Sequence, residues 1–232
     1  MTVYPQPRFR DPLQKNDALF LYGARQDKPF VFAYCQNSTE VVHGPACIPE
    51  KEIILDRCAQ DHVPVWRRRT GGGTVVLSAG IVVTVIVGNR EGPFGAPRYF
   101  TMIHEAMIGL LSREGVPPLR HDGISDLSCN NRKILGSSLY LGTSPAMYYY
   151  QSSLLVDSDL SLLPRYLHHP PREPQYRQQR SHSDFCTTLA REGYAHTPES
   201  VADLFNCRLA TALPHHSGDT RHHDETSGKE TP

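Results

Sequence analysis

The sequence lacks a net charge, because its 24 lysine and arginine residues balance 24 aspartate and glutamate residues. No global electrostatic field therefore attracts nucleic acid, and any anion-binding site must be local. Long hydrophobic runs are also missing, since the longest, Ile81 to Val87, is far shorter than the ~20 residues that a membrane helix needs. The first residues, Met1 to Pro5, contain no apolar segment typical of a secretory signal. We predict a cytoplasmic protein without nucleic-acid or membrane partners.

Closely spaced cysteine pairs are absent as well. None of the six cysteines forms a C-x-x-C pair, so neither a zinc ribbon nor a small disulfide scaffold is expected. The 12 histidines do not show the helical spacing of a zinc site, although three adjacent pairs occur in proline-rich or polar stretches. We therefore expect reduced cysteines and no structural metal.

What the sequence does contain is a cationic stretch that runs directly into a glycine triplet, from Arg67 to Gly73. Glycine has no Cβ, so three in succession let the backbone adopt positive φ or approach a ligand closely. Arginine presents a planar set of donors that suits carboxylate and phosphate groups. The pattern predicts a binding floor for an anionic ligand, and the competing interpretation is a hairpin turn with solvated arginines.

The chain is long enough, at 232 residues, for one domain with a sizeable core. We predict an irregular arm over residues 1–16, a single domain over residues 17–213 and a disordered polar tail over residues 214–232. Strands outnumber helices in the predicted domain, and they occur as hairpins with helices between them. This pattern predicts an α+β fold on a mixed or antiparallel sheet.

Hydrophobic periodicity locates the main elements. The strongest helical pattern covers residues 98–114, before Gly115, and further helices are expected over 50–61, 157–167, 181–192 and 198–213. Loops are expected over 40–49, 88–97 and 168–180. Runs of β-branched and aromatic residues bounded by turn residues predict strands over 29–34, 74–77, 81–87, 126–129, 133–141 and 146–156. The strands at 74–77 and 81–87 are expected to form one hairpin, and the last three are expected to form a meander.

The glycine triplet and several later motifs resemble the lipoate-protein ligase A family of the biotin/lipoate ligase superfamily. Two arginines followed by a glycine triplet are matched by Arg67, Arg68, Gly71, Gly72 and Gly73. An Asn-Asp pair is matched in part by Asp126, and an Arg-Lys-x-x-Gly-Ser stretch is matched by Arg132, Lys133, Gly136 and Ser137. The order and spacing of these motifs, with two weaker ones, cover roughly residues 30–190, which is more specific than any single motif.

The resemblance implies a central mixed, largely antiparallel β-sheet flanked by helices, the fold of biotin and lipoate ligase catalytic domains. It also implies a reaction in two steps. Lipoate, or octanoate, reacts with ATP to give an acyl-adenylate, and the acyl group then passes to a lysine of a carrier domain. The implied cofactors are ATP and Mg²⁺, with lipoate as the substrate.

Roles for individual residues follow from the same resemblance. Lys133 matches the family's catalytic lysine, which contacts the acyl carbonyl and the phosphate, where a fixed cation stabilises developing charge. Arg67 or Arg68 would hold phosphate or the carboxyl region of the lipoyl group. Asp126 is implied as a magnesium ligand or as the group that orients the incoming amine. The remaining matches complete the expected substrate and adenylate site: Gly71, Gly72, Gly73, Gly136 and Ser137.

The resemblance also implies partners. The acceptor would be the lipoyl domain of a 2-oxoacid dehydrogenase E2 component or a glycine-cleavage carrier protein. Family members competent in both steps have an additional C-terminal domain, in the same chain or as a separate protein. The sequence resembles a short form without it, so we expect a separate accessory subunit or the use of a preformed adenylate.

Other functions stay open on the sequence alone. Relatives in the same superfamily move octanoyl or lipoyl groups through a cysteine thioester without ATP, and Cys186, ahead of Cys129, is the candidate nucleophile. A degenerate member that binds without catalysis is the other alternative, because the family's His-Asp pair after the glycines is replaced by Leu77-Ser78. Biotin ligase is disfavoured, since its Gly-Arg-Gly-Arg element does not occur here.

Overall fold

A six-stranded antiparallel sheet forms the centre of the protein. The structure is a computed structural model that describes residues 28–90, 92–116, 118–144 and 146–213. The six strands are β1 (Phe30–Cys35), β5 (Ile81–Asn89), β6 (Arg120–Asp122), β7 (Asp126–Cys129), β8 (Arg132–Thr143) and β9 (Ala146–Leu155). They pair in the order β1-β5-β9-β8-β7-β6. The predicted meander is confirmed in β7, β8 and β9, while the predicted arm and tail lie outside the described residues.

A second, three-stranded sheet covers part of one face of the large sheet. Its strands are β2 (Glu40–His43), β3 (Val65–Arg67) and β4 (Val75–Leu77), in the order β3-β2-β4. The β2–β3 pair is parallel and the β2–β4 pair is antiparallel, so the mixed pairing expected for the fold occurs in this small sheet. The prediction of a loop over residues 40–49 was wrong at β2, whose Val41 and Val42 are buried.

The predicted hairpin between residues 74–77 and 81–87 was also wrong, although both segments are strands. The first pairs with β2 in the small sheet, and the second pairs with β1 and β9 in the large one. Gly80, at φ +84°, lies so close to Asp157 that an added Cβ would be 2.4 Å from its carbonyl oxygen. The turn at Gly80 carries the chain from the small sheet to the large sheet. The two strands do not pair with each other, because each finds a partner strand that is distant in sequence.

Two long helices pack on the opposite face of the large sheet. They are α3 (Ala96–Arg113) and α6 (Pro198–Ala212), and the short helices are α1 (Pro49–Glu52), α2 (Leu55–Gln60), α4 (Leu162–Tyr166) and α5 (His182–Phe185). The predicted helices at 98–114 and 198–213 are confirmed, and Gly115 has the positive φ of 83° expected after a helix end. Together with the sheets, these helices confirm the α+β class and the sheet flanked by helices.

The other helical predictions were too long. The segment 50–61 is divided at Ile53, which pairs with Leu167 as an isolated bridge. The segment 157–167 is helical only in α4, and the segment 181–192 only in α5, after which Cys186 lies alongside Lys133. Strand-like contacts at Ile53, Leu167 and Cys186 interrupt or end these helical patterns. Among the described helices, none is long and apolar enough to cross a membrane.

The register of the large sheet places one row of residues across five strands. Tyr34 of β1 pairs with Val83 of β5, which pairs with Ser153 of β9. Ser153 pairs with Gly136 of β8, which pairs with Asp126 of β7. All five residues line one cavity, so the row is the floor of a channel that runs from an aromatic ring to a carboxylate.

Candidate functional site

A cavity of about 140 Å³ lies between the two sheets, above this row. Its walls come from both sheets and from the segments that join their strands. They include Tyr34, Val42, Arg68, Gly72, Gly73, Thr74, Val75, Leu77, Val83, Ser125, Asp126, Lys133, Gly136, Ser137, Ser138, Gln151, Ser152 and Ser153. The fold therefore brings together seven of the nine predicted site residues. Arg67 and Gly71 are the two that do not line the cavity.

The cavity has walls of two different chemical kinds. Val42 and Leu77 of the small sheet belong to the same buried apolar cluster as Val83 of the large sheet. Asp126 and Lys133 lie at the far end of the row, on the β7 and β8 strands. A ligand that combines an apolar chain with an anionic group matches this division, because each part meets its own kind of wall.

Lys133 and Asp126 form an ion pair at the polar end. Lys133 Nζ is 2.8 Å from Asp126 Oδ1, and the Tyr176 hydroxyl donates to Asp126 Oδ2 at 2.9 Å. A Cβ added at Gly136 would be 2.8 Å from Lys133 Nζ, so the glycine leaves the space that the ammonium group occupies. Lys133 and Gly136 are thus linked by packing as well as by sequence spacing.

A buried carboxylate holds the turn before Lys133. The turn residues Asn130 and Asn131 have φ values of 49° and 61°, which Asn tolerates better than most residues. Glu192 accepts hydrogen bonds from the side chains of Arg132, Asn130 and Thr187. Burial alone would raise the pKa of Glu192, but the hydrogen bonds and the Arg132 charge hold it below its usual value. Arg132 therefore supports the turn and is directed away from the cavity.

Ser137 takes part in the internal support of the β7–β8 hairpin. Its hydroxyl donates to the Ser125 carbonyl at 2.7 Å, and its backbone N–H donates to the same oxygen at 2.9 Å. Behind it, His104 Nε2 lies 3.1 Å from Ser137 Oγ, on the fully buried side of α3. Burial, with a smaller contribution from His121, lowers the pKa of His104 to about 3, so this ring is neutral.

Arg68 shapes the glycine triplet from within. The residue is 7% exposed, and its guanidinium donates to the backbone carbonyls of Val42, Gly71 and Gly73, with the shortest distance 2.7 Å. Gly72 has φ +93°, a backbone conformation that residues with a side chain rarely adopt. We call residues 68–74 the glycine loop. Arg68 is the scaffold of this loop, whereas the sequence suggested a direct contact with an anion.

Arg67 lies on the outer side of the glycine loop. It is half-buried, and its Nη2 donates to the Pro45 carbonyl at 3.2 Å. Gly71 has space around its Cα, with no atom within 4 Å of an added Cβ. Gly72 and Gly73 are the two members of the triplet that line the cavity.

Several residues in or next to the cavity were not predicted. Thr70 Oγ1 is 2.8 Å from Ser138 Oγ, a buried contact that fastens the glycine loop to the large sheet. Gln151 and Ser153 lie on the cavity side of β9 beside Ser138 and Gly136 of β8. The available signal was a run of small or polar residues at alternate positions in strands that are otherwise apolar. Tyr176 belongs to one of the weaker motifs of the resemblance, but its contact with Asp126 was not predicted, because that contact depends on the path of a long loop.

The two cysteines considered as nucleophiles, Cys186 and Cys129, are not activated by their surroundings. Burial raises the pKa of Cys186, against smaller opposing effects of Lys133 and Arg177. Burial, together with Glu192, raises the pKa of Cys129 to about 11. A nucleophilic cysteine needs a lowered pKa and access to the substrate. Within the described ranges, no group of three or more His, Cys, Asp or Glu side chains has the arrangement of a metal site.

Comparison with known proteins gives a consistent result. Residues 10–210 match the family model described as the lipoyl protein ligase A/B catalytic domain. The chain is 27% identical over 180 residues to a lipoate–protein ligase of Streptococcus pyogenes, covering 76% of this chain and 51% of that protein. It is 29% identical over 137 residues to a probable lipoate-protein ligase A of Mycoplasma genitalium, covering 59% and 40%. The chain thus spans about half the length of the curated relatives it matches.

Solved structures show the same fold. A bipartite lipoate protein ligase of Thermoplasma acidophilum, described with its E2 lipoyl domain, has a TM-score of 0.72 at 21% identity, covering 87% of this chain and 76% of that one. A lipoate-protein ligase A bound with ATP has a TM-score of 0.69 at 20% identity, covering 85% and 76%.

Proposed function

Because the chain belongs to the lipoyl protein ligase A/B catalytic-domain family, we propose that it attaches lipoate or octanoate to a lysine of a carrier domain through an acyl-adenylate. The observation that carries the proposal is the position of Lys133. Its ammonium lies over Gly136, beside Asp126, in a cavity that is also lined by the apolar side chains of Val42, Leu77 and Val83. A carboxylic acid with a medium-length apolar chain has the same division of polarity.

In the first proposed step, a carboxylate oxygen of the acid attacks the α-phosphorus of ATP, and pyrophosphate leaves. The two reactants are both anionic, so a cation between them lowers the free energy of their approach and of the transition state. Lys133 is the residue we assign to this role. The channel between Tyr34 and Val83 would hold the apolar chain, which orients the carboxylate towards Lys133.

In the second proposed step, the carrier lysine attacks the acyl carbon, an amide bond forms, AMP leaves and the amine loses a proton. Asp126 lies within the same group of side chains, so it is our candidate for orienting the incoming amine. Gly72 and Gly73 would let the backbone of the glycine loop approach the adenylate, with Arg68 adding positive charge at that wall and Arg67 adding it from outside the cavity.

Mg²⁺ is implied by the use of ATP, and Asp126 is the side chain that fits it. A carboxylate has about four lone-pair sites, and the contacts with Lys133 and Tyr176 use two of them. Magnesium in nucleotide sites is commonly bound by one or two carboxylates together with phosphate oxygens. When bound, it would neutralise charge on the pyrophosphate leaving group.

The acceptor we propose is a lipoyl domain, either of a 2-oxoacid dehydrogenase E2 component or of a glycine-cleavage carrier protein. The structural relative described with its E2 lipoyl domain supports this choice. That relative is also described as bipartite, which supports a separate accessory subunit as a second partner.

Intact-mass spectrometry tests the proposal. An apo lipoyl domain is incubated with the chain and Mg²⁺, once with lipoate and ATP and once with synthetic lipoyl-adenylate. We expect the mass of a lipoyl group to be added in both reactions, and not to an acceptor whose target lysine is replaced by arginine. Gain with the adenylate alone would assign the first step to an accessory subunit. No gain in either reaction would overturn the proposal.

A further inference from the structure

Two aspartates in the structure have the same kinds of partner. Asp126 lies between a cation and a tyrosine, with Lys133 Nζ at 2.8 Å and the Tyr176 hydroxyl at 2.9 Å. Asp61 lies between Arg165, at 2.7 Å, and the Tyr166 hydroxyl, at 2.9 Å. The carboxylate and cation of the first group line the cavity. The second group joins the end of α2 to α4, so it is a natural control for the first.

Tyr176 reaches Asp126 from a separate part of the chain. It belongs to a 3₁₀ turn, Gln175–Arg177, in the loop between α4 and α5. Its ring packs against Phe185, with ring centroids 5.0 Å apart, and Arg180 donates to its backbone carbonyl at 2.7 Å. The Tyr176 hydroxyl is the donor in this contact, and the carboxylate oxygen accepts.

The ion pair presents a physical problem for the proposed reaction. To act on an anionic substrate, Lys133 must weaken its contact with Asp126. Asp126 is buried, with 6% of its surface exposed. A buried carboxylate that loses its cation is strongly destabilised unless another donor remains. The Lys133 side chain is 26% exposed and lines the cavity, so movement of the ammonium towards a ligand is sterically possible.

We propose that Tyr176 is a positioning residue that keeps Asp126 hydrogen-bonded while Lys133 transfers its ammonium from Asp126 to the anionic group of the substrate. The inference rests on the proposed function, because that function supplies the anionic group. Tyr176 does not itself contact the reacting atoms. It lowers the free energy needed to release Lys133, since the carboxylate retains one donor throughout.

Tyr176→Phe removes the hydroxyl and keeps the ring, and Tyr166→Phe makes the same change at the matched group. For acyl transfer from lipoyl-adenylate, we expect Tyr176→Phe to lower kcat about 10-fold, as loss of one hydrogen bond to a charged group does, with KM for the lipoyl domain changing less than about twofold. Tyr166→Phe is expected to change kcat less than about twofold. The thermal stability of this variant is expected to fall, because the hydrogen bond to Asp61 is lost. Equal kcat values for Tyr176→Phe and the unaltered chain would overturn the inference.

A double-mutant cycle tests whether Tyr176 acts through the carboxylate. Asp126→Asn removes the charge that holds Lys133, so Tyr176→Phe in this background is expected to change kcat less than about twofold further. A full additional 10-fold loss in the double variant would mean that Tyr176 acts on the reaction by another route. That result would also overturn the inference.

NMR of the lysine side chains separates this inference from the proposed function. The chain has five lysines, so lysine-selective ¹³C and ¹⁵N labelling gives a simple spectrum in which Lys133→Arg identifies the Lys133 signal. We expect this signal to shift in Tyr176→Phe and in Asp126→Asn, and to stay in place in Tyr166→Phe. If the unaltered chain transfers no acyl group, the proposed function fails, while an unchanged Lys133 signal in Tyr176→Phe overturns the coupling itself.

Discussion

The glycine loop and the β7–β8 hairpin each place a cation beside the same cavity, but they use it differently. Arg68 is buried in the glycine loop, and its donors bind backbone carbonyls, which fixes the course of the triplet. Lys133 is partly exposed on the hairpin, and its single ammonium pairs with Asp126 above Gly136. One cation maintains the shape of a wall, and the other presents its charge to the cavity.

This difference follows from the chemistry of the two side chains. A guanidinium has five donors in a rigid plane and can bind several carbonyls at once, whereas an ammonium is a compact charge on a flexible stem. Arginine therefore suits a position that organises a backbone loop, and lysine suits a position that contacts a reacting anion. The comparison predicts stability effects at Arg68 and rate effects at Lys133.

The largest effect is expected from Lys133→Ala. Removing one electrostatic donor from a reaction site typically lowers the rate by about 10²–10³-fold, and the partly exposed side chain adds little to folding. We expect acyl transfer from the adenylate to fall by this factor, with a melting temperature close to that of the unaltered chain. Single-turnover transfer and thermal unfolding measure the two quantities. If Lys133→Ala also lowered the melting temperature substantially, the predicted contrast with Arg68, a rate effect against a stability effect, would be wrong.

Arg68→Ala is expected to act first on stability. Its carbonyl partners would lose a charged donor, which typically costs about 2–4 kcal/mol when the group is buried. The free energy of unfolding, measured in urea, is therefore expected to fall by this amount. Arg69→Ala, at an exposed position of the same loop, is the control and is expected to change stability by less than about 0.5 kcal/mol.

Gly136→Ala is expected to have a smaller effect, on rate alone. The new methyl group would meet the far end of the Lys133 side chain, which can move away without disturbing the sheet. We expect transfer to slow by about 10-fold, as for one displaced electrostatic contact, with stability changed by less than about 1 kcal/mol.

Gly109→Ala in α3, where an added Cβ meets an ordinary contact at 3.9 Å, is the control and is expected to leave transfer unchanged. A Gly136→Ala variant that transfers at the unaltered rate would show that the position of the Lys133 ammonium over this residue is not needed.

The smallest effect is expected at low pH, through Glu192. Its pKa in the folded chain is below the ordinary value of 4.5, so its ionised form stabilises the fold above that pH. This stabilisation is lost as the pH falls through the lowered pKa. Glu192→Gln is expected to be about 1 kcal/mol less stable at neutral pH, and the difference should shrink below pH 4.5. Urea unfolding of both proteins at neutral and acidic pH measures this difference in stability. A difference that does not change with pH would contradict the stabilising role of ionised Glu192.

Much of the β7–β8 hairpin was predictable from local sequence. The turn at Asn130 and Asn131, the strands on both sides and the placement of Lys133 after the turn all depend on residues within a few positions of each other. The long helices were predictable for the same reason, because the 3.6-residue period appears within each segment. The spacing of Lys133 and Gly136 was visible in the sequence. The packing of the Lys133 ammonium over Gly136 was not.

The glycine loop was less predictable, because its conformation depends on partners elsewhere in the chain. Val42, which accepts from Arg68, is 26 residues away, and Ser138, which contacts Thr70, is 68 residues away. The failed hairpin at residues 74–87 has the same origin, since β4 and β5 found partners in different sheets.

The sequence by itself determined the α+β class, the long helices, the meander and the set of residues that resembles a lipoate ligase site, because short-range periodicity, turn chemistry and motif spacing record them. Only the tertiary structure decided which cation shapes the wall and which faces the cavity, and that Tyr176 joins Asp126. Those contacts depend on strand register and on loops that return from distant positions, and a one-residue change of register turns a side chain to the opposite face of a sheet.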